Sequence, residues 1–295
     1  MGADKPLDYK NLEINMKSII KIIFTACLVI NFAIDIAYAQ TDTAKVFRIT
    51  LTDNTEIVAK IINETADSIF FATPLGIKLG IDKKNISDQE LLSGYFENDK
   101  YVRIDPNRTR LFFSPTGRML KSGEGYISDY WLFFPFISTG ITDFLTISGG
   151  MTLFPGTDNQ VFYFAPRIGI IQSDKYSISG GILYAAAKEN NFGIAYGVAT
   201  MGSKTHAFTL GIGYGFSDGD LDKKPVIVIG GEAQVSNSIK LISENWIPPG
   251  SSEMIISFGL RFFGENLAAD FGLITSSKAS GGFPFLPWLG FCYNF

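Results

Sequence analysis

His206 is the chain's single histidine, so acid–base or metal chemistry built on imidazole would have to centre there. It alternates in step with Phe208 and Leu210, beside a turn signal at Gly202–Lys204. That parity puts it on an apolar face, where it suits an interfacial residue better than a general base. No pair of carboxylates stands beside a partner base, and no His, Cys, Asp and Glu spacing fits a metal. Gly211-Ile212-Gly213-Tyr214-Gly215 places glycine at every second position. This makes a small-residue strand face, not a phosphate-binding loop. The reading is of a protein with no catalysis, no cofactor and no metal.

Other charges carry more information. Arg118, Arg167, Glu232, Lys240, Glu244, Arg261 and Asp270 fall in step with glycines and serines, opposite rows of bulky apolar residues. If the apolar rows face lipid, these seven face a lumen, because a basic residue at the bilayer midplane costs about 2–4 kcal/mol. Two outcomes follow from that placement. The charges form an internal salt-bridge network that fixes strand register, or they line a polar channel and set its selectivity.

The elements that must position them alternate with period two. Leu145, Ile147, Met151 and Leu153 share one face, as do Phe208, Leu210, Ile212, Tyr214 and Phe216, and Met254, Ile256, Phe258, Leu260 and Phe262. The opposite face is small, as in Thr209, Gly211, Gly213 and Gly215. Tight turns are expected at Gly140–Asp143, Ser173–Lys175, Gly202–Lys204, Ser236–Ser238 and Gly264–Asn266. Longer polar loops are expected at Pro155–Asn159, Lys188–Asn191, Ser217–Lys224, Pro248–Glu253 and Thr275–Phe283. Segments of about ten to thirteen residues lie between them, enough for tilted strands to cross a bilayer. Counting back from the end, the strand ending at Thr139 runs toward the short turns, so an earlier strand must run the other way. Thr109–Leu120 is the candidate, with Lys121–Gly125 as its outer loop. The count is twelve, and because Pro115 interrupts the first strand, ten is the alternative.

The final residues Phe291-Cys292-Tyr293-Asn294-Phe295 put aromatics at alternate positions and finish on phenylalanine. With the alternating strands, this resembles the terminal assembly signal of bacterial outer-membrane β-barrel proteins, carried here by Phe291, Tyr293 and Phe295. The resemblance implies an antiparallel transmembrane barrel over 109–295 that contacts outer-membrane lipid and the barrel assembly machinery. Large aromatic rows opposite small ones suit a barrel better than a soluble β-sandwich, whose core interlocks large residues from both sheets; since both alternate, the signal-peptide layout and the terminal phenylalanine decide between them. Charged residues are 18% of the chain, below the roughly 25% of an ordinary soluble protein.

Upstream, Met16-Lys17-Ser18, the apolar stretch Ile19–Ile36 and Ala37-Tyr38-Ala39 have the layout of a secretory signal peptide over 16–39. An uncleaved anchor is the alternative, and residues 1–15 read as a mis-assigned start. Cleavage would leave Cys292 as the single cysteine and no internal disulfide. Residues 45–92 alternate over Lys45–Thr52, Glu56–Ile62, Ser68–Thr73 and Ile77–Ile81, separated by Asp53-Asn54 and Pro74-Leu75-Gly76. This order resembles the SH3-like and Sm-like small β-barrels and implies a periplasmic domain. Seven acidic residues against six basic ones there leave no groove for a phosphate backbone, so nucleic acid is not expected as a partner. Residues 93–108 read as a linker. The functional expectation is a structural or narrow, porin-like channel in the bacterial outer membrane. The alternative is an envelope-binding protein whose small domain grips a cell-wall or periplasmic partner.

Overall fold

The computed structural model describes residues 45–157, 159–188, 190–217, 220–279 and 284–295. The leader expected within residues 1–39 lies outside the described residues. Three sheets account for the strands. β1 (Val46–Leu51), β2 (Glu56–Glu64), β3 (Ser68–Ala72), β4 (Lys78–Asp82) and β5 (Ile86–Leu92) form an antiparallel sheet in the order β4-β3-β2-β1-β5. Ile49, Ala59, Ile69 and Phe71 are its buried cluster, with Phe47, Leu51, Ile57 and Ile61 packed against it in step along β1 and β2.

β6 (Gly94–Glu97) and β7 (Lys100–Arg103) follow as a hairpin where a linker was expected. Asn98 and Asp99 both take positive φ (48° and 59°), the geometry of the tight turns that match strand twist. A polar run that reads as a linker is thus a hairpin turn built from residues that tolerate the left-handed region.

The third sheet is a closed barrel. β8 (Gly125–Tyr130), β9 (Phe134–Thr142), β10 (Leu145–Met151), β11 (Phe162–Phe164) with β12 (Arg167–Gln172), β13 (Tyr176–Ala186), β14 (Asn191–Gly202) and β15 (His206–Ser217) come first. β16 (Asp220–Leu221) only extends the β15 hairpin. β17 (Val226–Ser236), β18 (Ile239–Ile247), β19 (Ile255–Phe263), β20 (Leu267–Ser276) and β21 (Leu286–Asn294) complete the circuit, and β21 pairs β8 from Gly290↔Tyr130 to Asn294↔Tyr126. β11 and β12 both pair β10 and β13, so they are one interrupted strand and the wall has twelve. Among the described residues, every wall strand has a partner on both sides, so the sheet is closed.

Twelve is the expected number, but its first member differs. Thr109–Leu120 is not a wall strand. Its backbone pairs with itself, through an isolated Arg110↔Pro115 bridge and Thr116 N donating to Thr109 O at 2.9 Å. The extra strand comes instead from a reversal at Tyr130–Phe133. There Trp131 and Leu132 hold φ of 50° and 64°, and Phe133 N donates to Tyr130 O at 3.2 Å. Two adjacent bulky residues in the left-handed region give no turn signal, since each costs roughly 1–2 kcal/mol there. Trp131 offsets part of that cost: its Nε1 donates to Pro287 O at 2.7 Å and its ring packs on Trp288. Lys121–Gly125, expected as an outer loop, consequently sits at the short-turn end, where Gly125 N donates to Phe295 O.

Candidate functional site: the barrel lumen

Burial is inverted relative to a protein in water. Large apolar side chains are exposed on the outer wall, among them Phe208, Leu210, Ile212, Tyr214, Phe258 and Phe262. Polar residues stand in the inward rows: Ser138, Ser148, Ser179, Thr200, Thr209 and Ser257 are all buried. Phe291, Tyr293 and Phe295 face outward at the short-turn end, and Trp288, Cys292 and Asn294 alternate with them into the lumen. His206 is exposed beside the Ser203–Thr205 turn, its Nδ1 2.9 Å from Thr205 Oγ1.

Residues 105–120 fold into the short-turn half of the lumen. Their partners lie on strands around the wall. Gly117 N donates to Thr200 Oγ1 (2.8 Å) on β14, Gln172 Nε2 on β12 donates to Gly117 O (2.9 Å), and the Cys292 thiol on β21 lies 3.0 Å from Asn107 Oδ1. Gly117 is obligatory for the close approach, because a Cβ there would stand 2.0 Å from Ser177 O. Leu111 and Phe112 are buried against Tyr130, Ile242 and Trp288. The segment is therefore a plug, and it reads as a strand only because the alternation of strand directions needs one upstream of Thr139.

The plug meets the wall through alternating charges. Arg118 pairs Glu232, which pairs Lys240 (3.2 Å). Lys240 pairs Asp105 (2.9 Å), Asp105 pairs Arg261 (3.0 Å), Arg261 pairs Asp270 (2.6 Å), and Asp270 pairs Arg110 (2.6 Å). Arg261 also donates to the carbonyls of Asn107, Arg110 and Leu111. A buried charge left alone is costly, so this chain of pairs and its hydrogen bonds fix the plug in one register.

Six of the seven charges singled out in the sequence lie on the wall and Arg118 lies on the plug. Arg167 and Glu244 do not join the chain. Arg167 Nη1 donates to Thr109 O (3.2 Å) and Thr116 O (3.1 Å), and Glu244 accepts from Phe113 N, Ser114 N and Trp246 Nε1. Asp105 and Arg110 are the residues that sequence reasoning missed. Asp105 sat in a stretch assigned to a linker, where parity assigns no face, whereas Arg110 shares the parity of Arg118 on the expected first strand and could have been found from it.

Above the plug, in the long-loop half, lies a cavity of about 620 Å³. Phe136, Phe154, Tyr163, Leu183, Val198 and Val228 are among its walls, with Arg167 and Glu244 also lining it. All three of the chain's tryptophans, Trp131, Trp246 and Trp288, border it. An inward Trp288 was legible from its parity with Gly290 and Cys292. Trp246 could have been found from its parity with Lys240 and Glu244.

On the outside of the short-turn end, the hairpin is clamped to barrel turns. Arg103 Nε pairs Glu265 at 2.7 Å, Ser93 N and Oγ donate to the same carboxylate, and Asn237 Nδ2 donates to Tyr101 O at 2.7 Å. Burial acts to raise the Glu265 pKa, but the bonds from Arg103 and Ser93 prevail and hold it below the ordinary value.

No family model matches the chain, and no curated protein matches it. Among solved structures, it is similar to the KdgM porin in complex with disordered oligogalacturonate, at 11% identity and a TM-score of 0.46 over 58% of this chain and 98% of that one. It is also similar to the NanC porin (10% identity, TM-score 0.41, 58% and 97%). A third likeness is to a loop-deletion mutant of OmpT, an outer membrane protein of Vibrio cholerae (11% identity, TM-score 0.32, 85% and 97%). Scores of this size leave the functional reading to the barrel's own geometry.

Proposed function

We propose that the chain is an outer-membrane β-barrel protein with a porin-like transport role and no catalysis, its lumen held closed by residues 105–120. The observation that carries this reading is the inverted burial of a closed twelve-stranded wall around a divided lumen. An apolar exterior on strands of mostly nine to twelve residues suits hydrocarbon, and closed barrels and helices are the structures that cross it. The cavity at the long-loop end provides a place for a solute, and the plug is the element that must yield for passage. Phe291, Tyr293 and Phe295 at the short-turn end fit an assembly signal read from the periplasm, where the small sheet would also lie.

Single-channel recording on the full chain tests this. The intact protein is expected to show a closed state with brief, small openings, and deletion of residues 106–122 should leave it persistently open. A large, steady conductance from the intact protein would contradict the plug. Silence from both proteins would contradict transport.

One observation favours a second reading, in which the small sheet binds an envelope partner. β4 is an edge strand, and Phe70, Leu75, Ile77 and Leu79 around it are exposed. Deleting residues 45–92 should leave a transporter's conductance in place but abolish the function of a binding protein.

A further inference from the structure

The cavity joins two features that an ion pathway does not need together. Its walls are aromatic and aliphatic, which disfavours hydrated ions and favours an apolar body of drug-like size. Arg167 also lines it, is 6% exposed, and makes no ion pair among the described residues. Its recorded partners are two carbonyls of the plug, both on Nη1. Every other buried cation of the lumen has a carboxylate: Arg110, Lys240 and Arg261 are paired in the chain below. Glu244, the anion on the same cavity, is already bound by three donors. Glu244 also lacks an ion pair among the described residues, but its carboxylate is filled by those donors, whereas Nε and Nη2 of Arg167 bond to no described residue, so the bonds left to make at the site are the guanidinium's.

We infer that the cavity binds a small amphipathic carboxylate, with an apolar or aromatic body against the rings and the carboxylate on Arg167. This rests on the transport reading and names its substrate class. Charge-assisted bonds from a guanidinium to a carboxylate are among the stronger polar contacts, and they strengthen where water is excluded. The small lumen face of β15 makes the room. A Cβ on Gly211 would meet Val228 at an ordinary 3.5 Å, so a longer side chain there would project into the void with its base unstrained. Because all three tryptophans border the cavity, intrinsic fluorescence reports on its contents.

The test uses the full chain in phosphatidylcholine nanodiscs, titrated with 4-phenylbutyrate, 4-phenylbutanol and 4-phenylbutylamine. The carboxylate should bind about tenfold tighter than the alcohol, with the amine weakest. Arg167→Gln should bring carboxylate and alcohol within about twofold of each other. Gly211→Leu should weaken all three. Arg167 also holds the plug, so folding of each variant is checked by heat modification, and Arg167→Lys serves as the second variant. It retains the charge and should retain the preference. Equal binding of the three probes to the intact protein would overturn the inference. So would fluorescence changes indifferent to Gly211→Leu, which would mean simple partition into lipid, or a preference lost in a folded Arg167→Lys. Conductance on plug deletion is read separately, so absent binding with conductance intact overturns the ligand class and leaves the transport reading standing.

Discussion

The two halves of the lumen are built by the same strands and are chemically opposite. Read from the short turns toward the long loops, the inward row of β17 runs Glu232, Gly230, Val228, and that of β19 runs Arg261, Gly259, Ser257, Ile255. β20 gives Asp270, Gly272, Ile274, and β21 gives Cys292, Gly290, Trp288. Inside an apolar rim of Phe263 and Ala268 at the turns, each row passes from charged or small residues to apolar ones. The short-turn half is thereby committed to holding a charged segment of its own chain, and the long-loop half is left with greasy walls and space. Alternation alone specifies which residues face in. Position along the strand specifies what they face.

The comparison is broken most severely at Arg261. Arg261→Ala leaves Asp105 and Asp270 each short of a partner at full burial and takes the donor from Arg110 O, while Leu111 O and Asn107 O keep only Arg110 Nη1 and Arg110 N. The expected loss is about 3–5 kcal/mol, seen as a marked fall in the temperature of heat modification. Phe258→Ala, on the outward face of the same strand, should fall far less, and equal losses would mean that the faces of β19 are misassigned. In the other half, Trp246→Ala removes one of three donors from Glu244 beside space that already exists. It should cost no more than about 1–3 kcal/mol in the same assay.

Outside the lumen, acid should loosen the hairpin. The folded pKa of Glu265 is depressed, so its contribution is complete above the ordinary carboxylate value and is lost as pH falls through the depressed one. Proteolysis between residues 93 and 104 should therefore accelerate below about pH 4, and Glu265→Gln should remove that pH dependence. The smallest effect is expected at Leu132. Leu132→Gly relieves a side chain at φ 64° and should stabilise the reversal by roughly 1 kcal/mol, raising the heat-modification temperature slightly.

Much of the wall was legible in the chain. The five short turns and the faces of β15 and β19 follow from period-two patterning, which a one-residue slip would invert wholesale. The inward charges were legible for the same reason. Trp131-Leu132 was not, because a left-handed turn of two bulky residues is held by tertiary contacts with Trp288 and Pro287 that no local pattern encodes. Nor was the plug. Residues 109–114 mix polar and apolar types on both parities, so the strand assigned there rested on the count of strand directions, and the partners that pull Arg110 and Ser114 inside are more than a hundred residues away. The cavity was out of reach because it is a sum over facing strands.

Cys292 offers the most direct measurement of the division. Its thiol is buried beneath Asn107 of the plug, on the last wall strand. Alkylation by a water-soluble maleimide, followed on the peptide that carries Cys292, reports whether water reaches the short-turn half. In the folded barrel the thiol should react at least about a hundredfold more slowly than in the unfolded chain, and Arg261→Ala should accelerate it. Reaction in the folded, intact protein at the unfolded rate would contradict a sealed short-turn half, and with it the account of a plugged lumen.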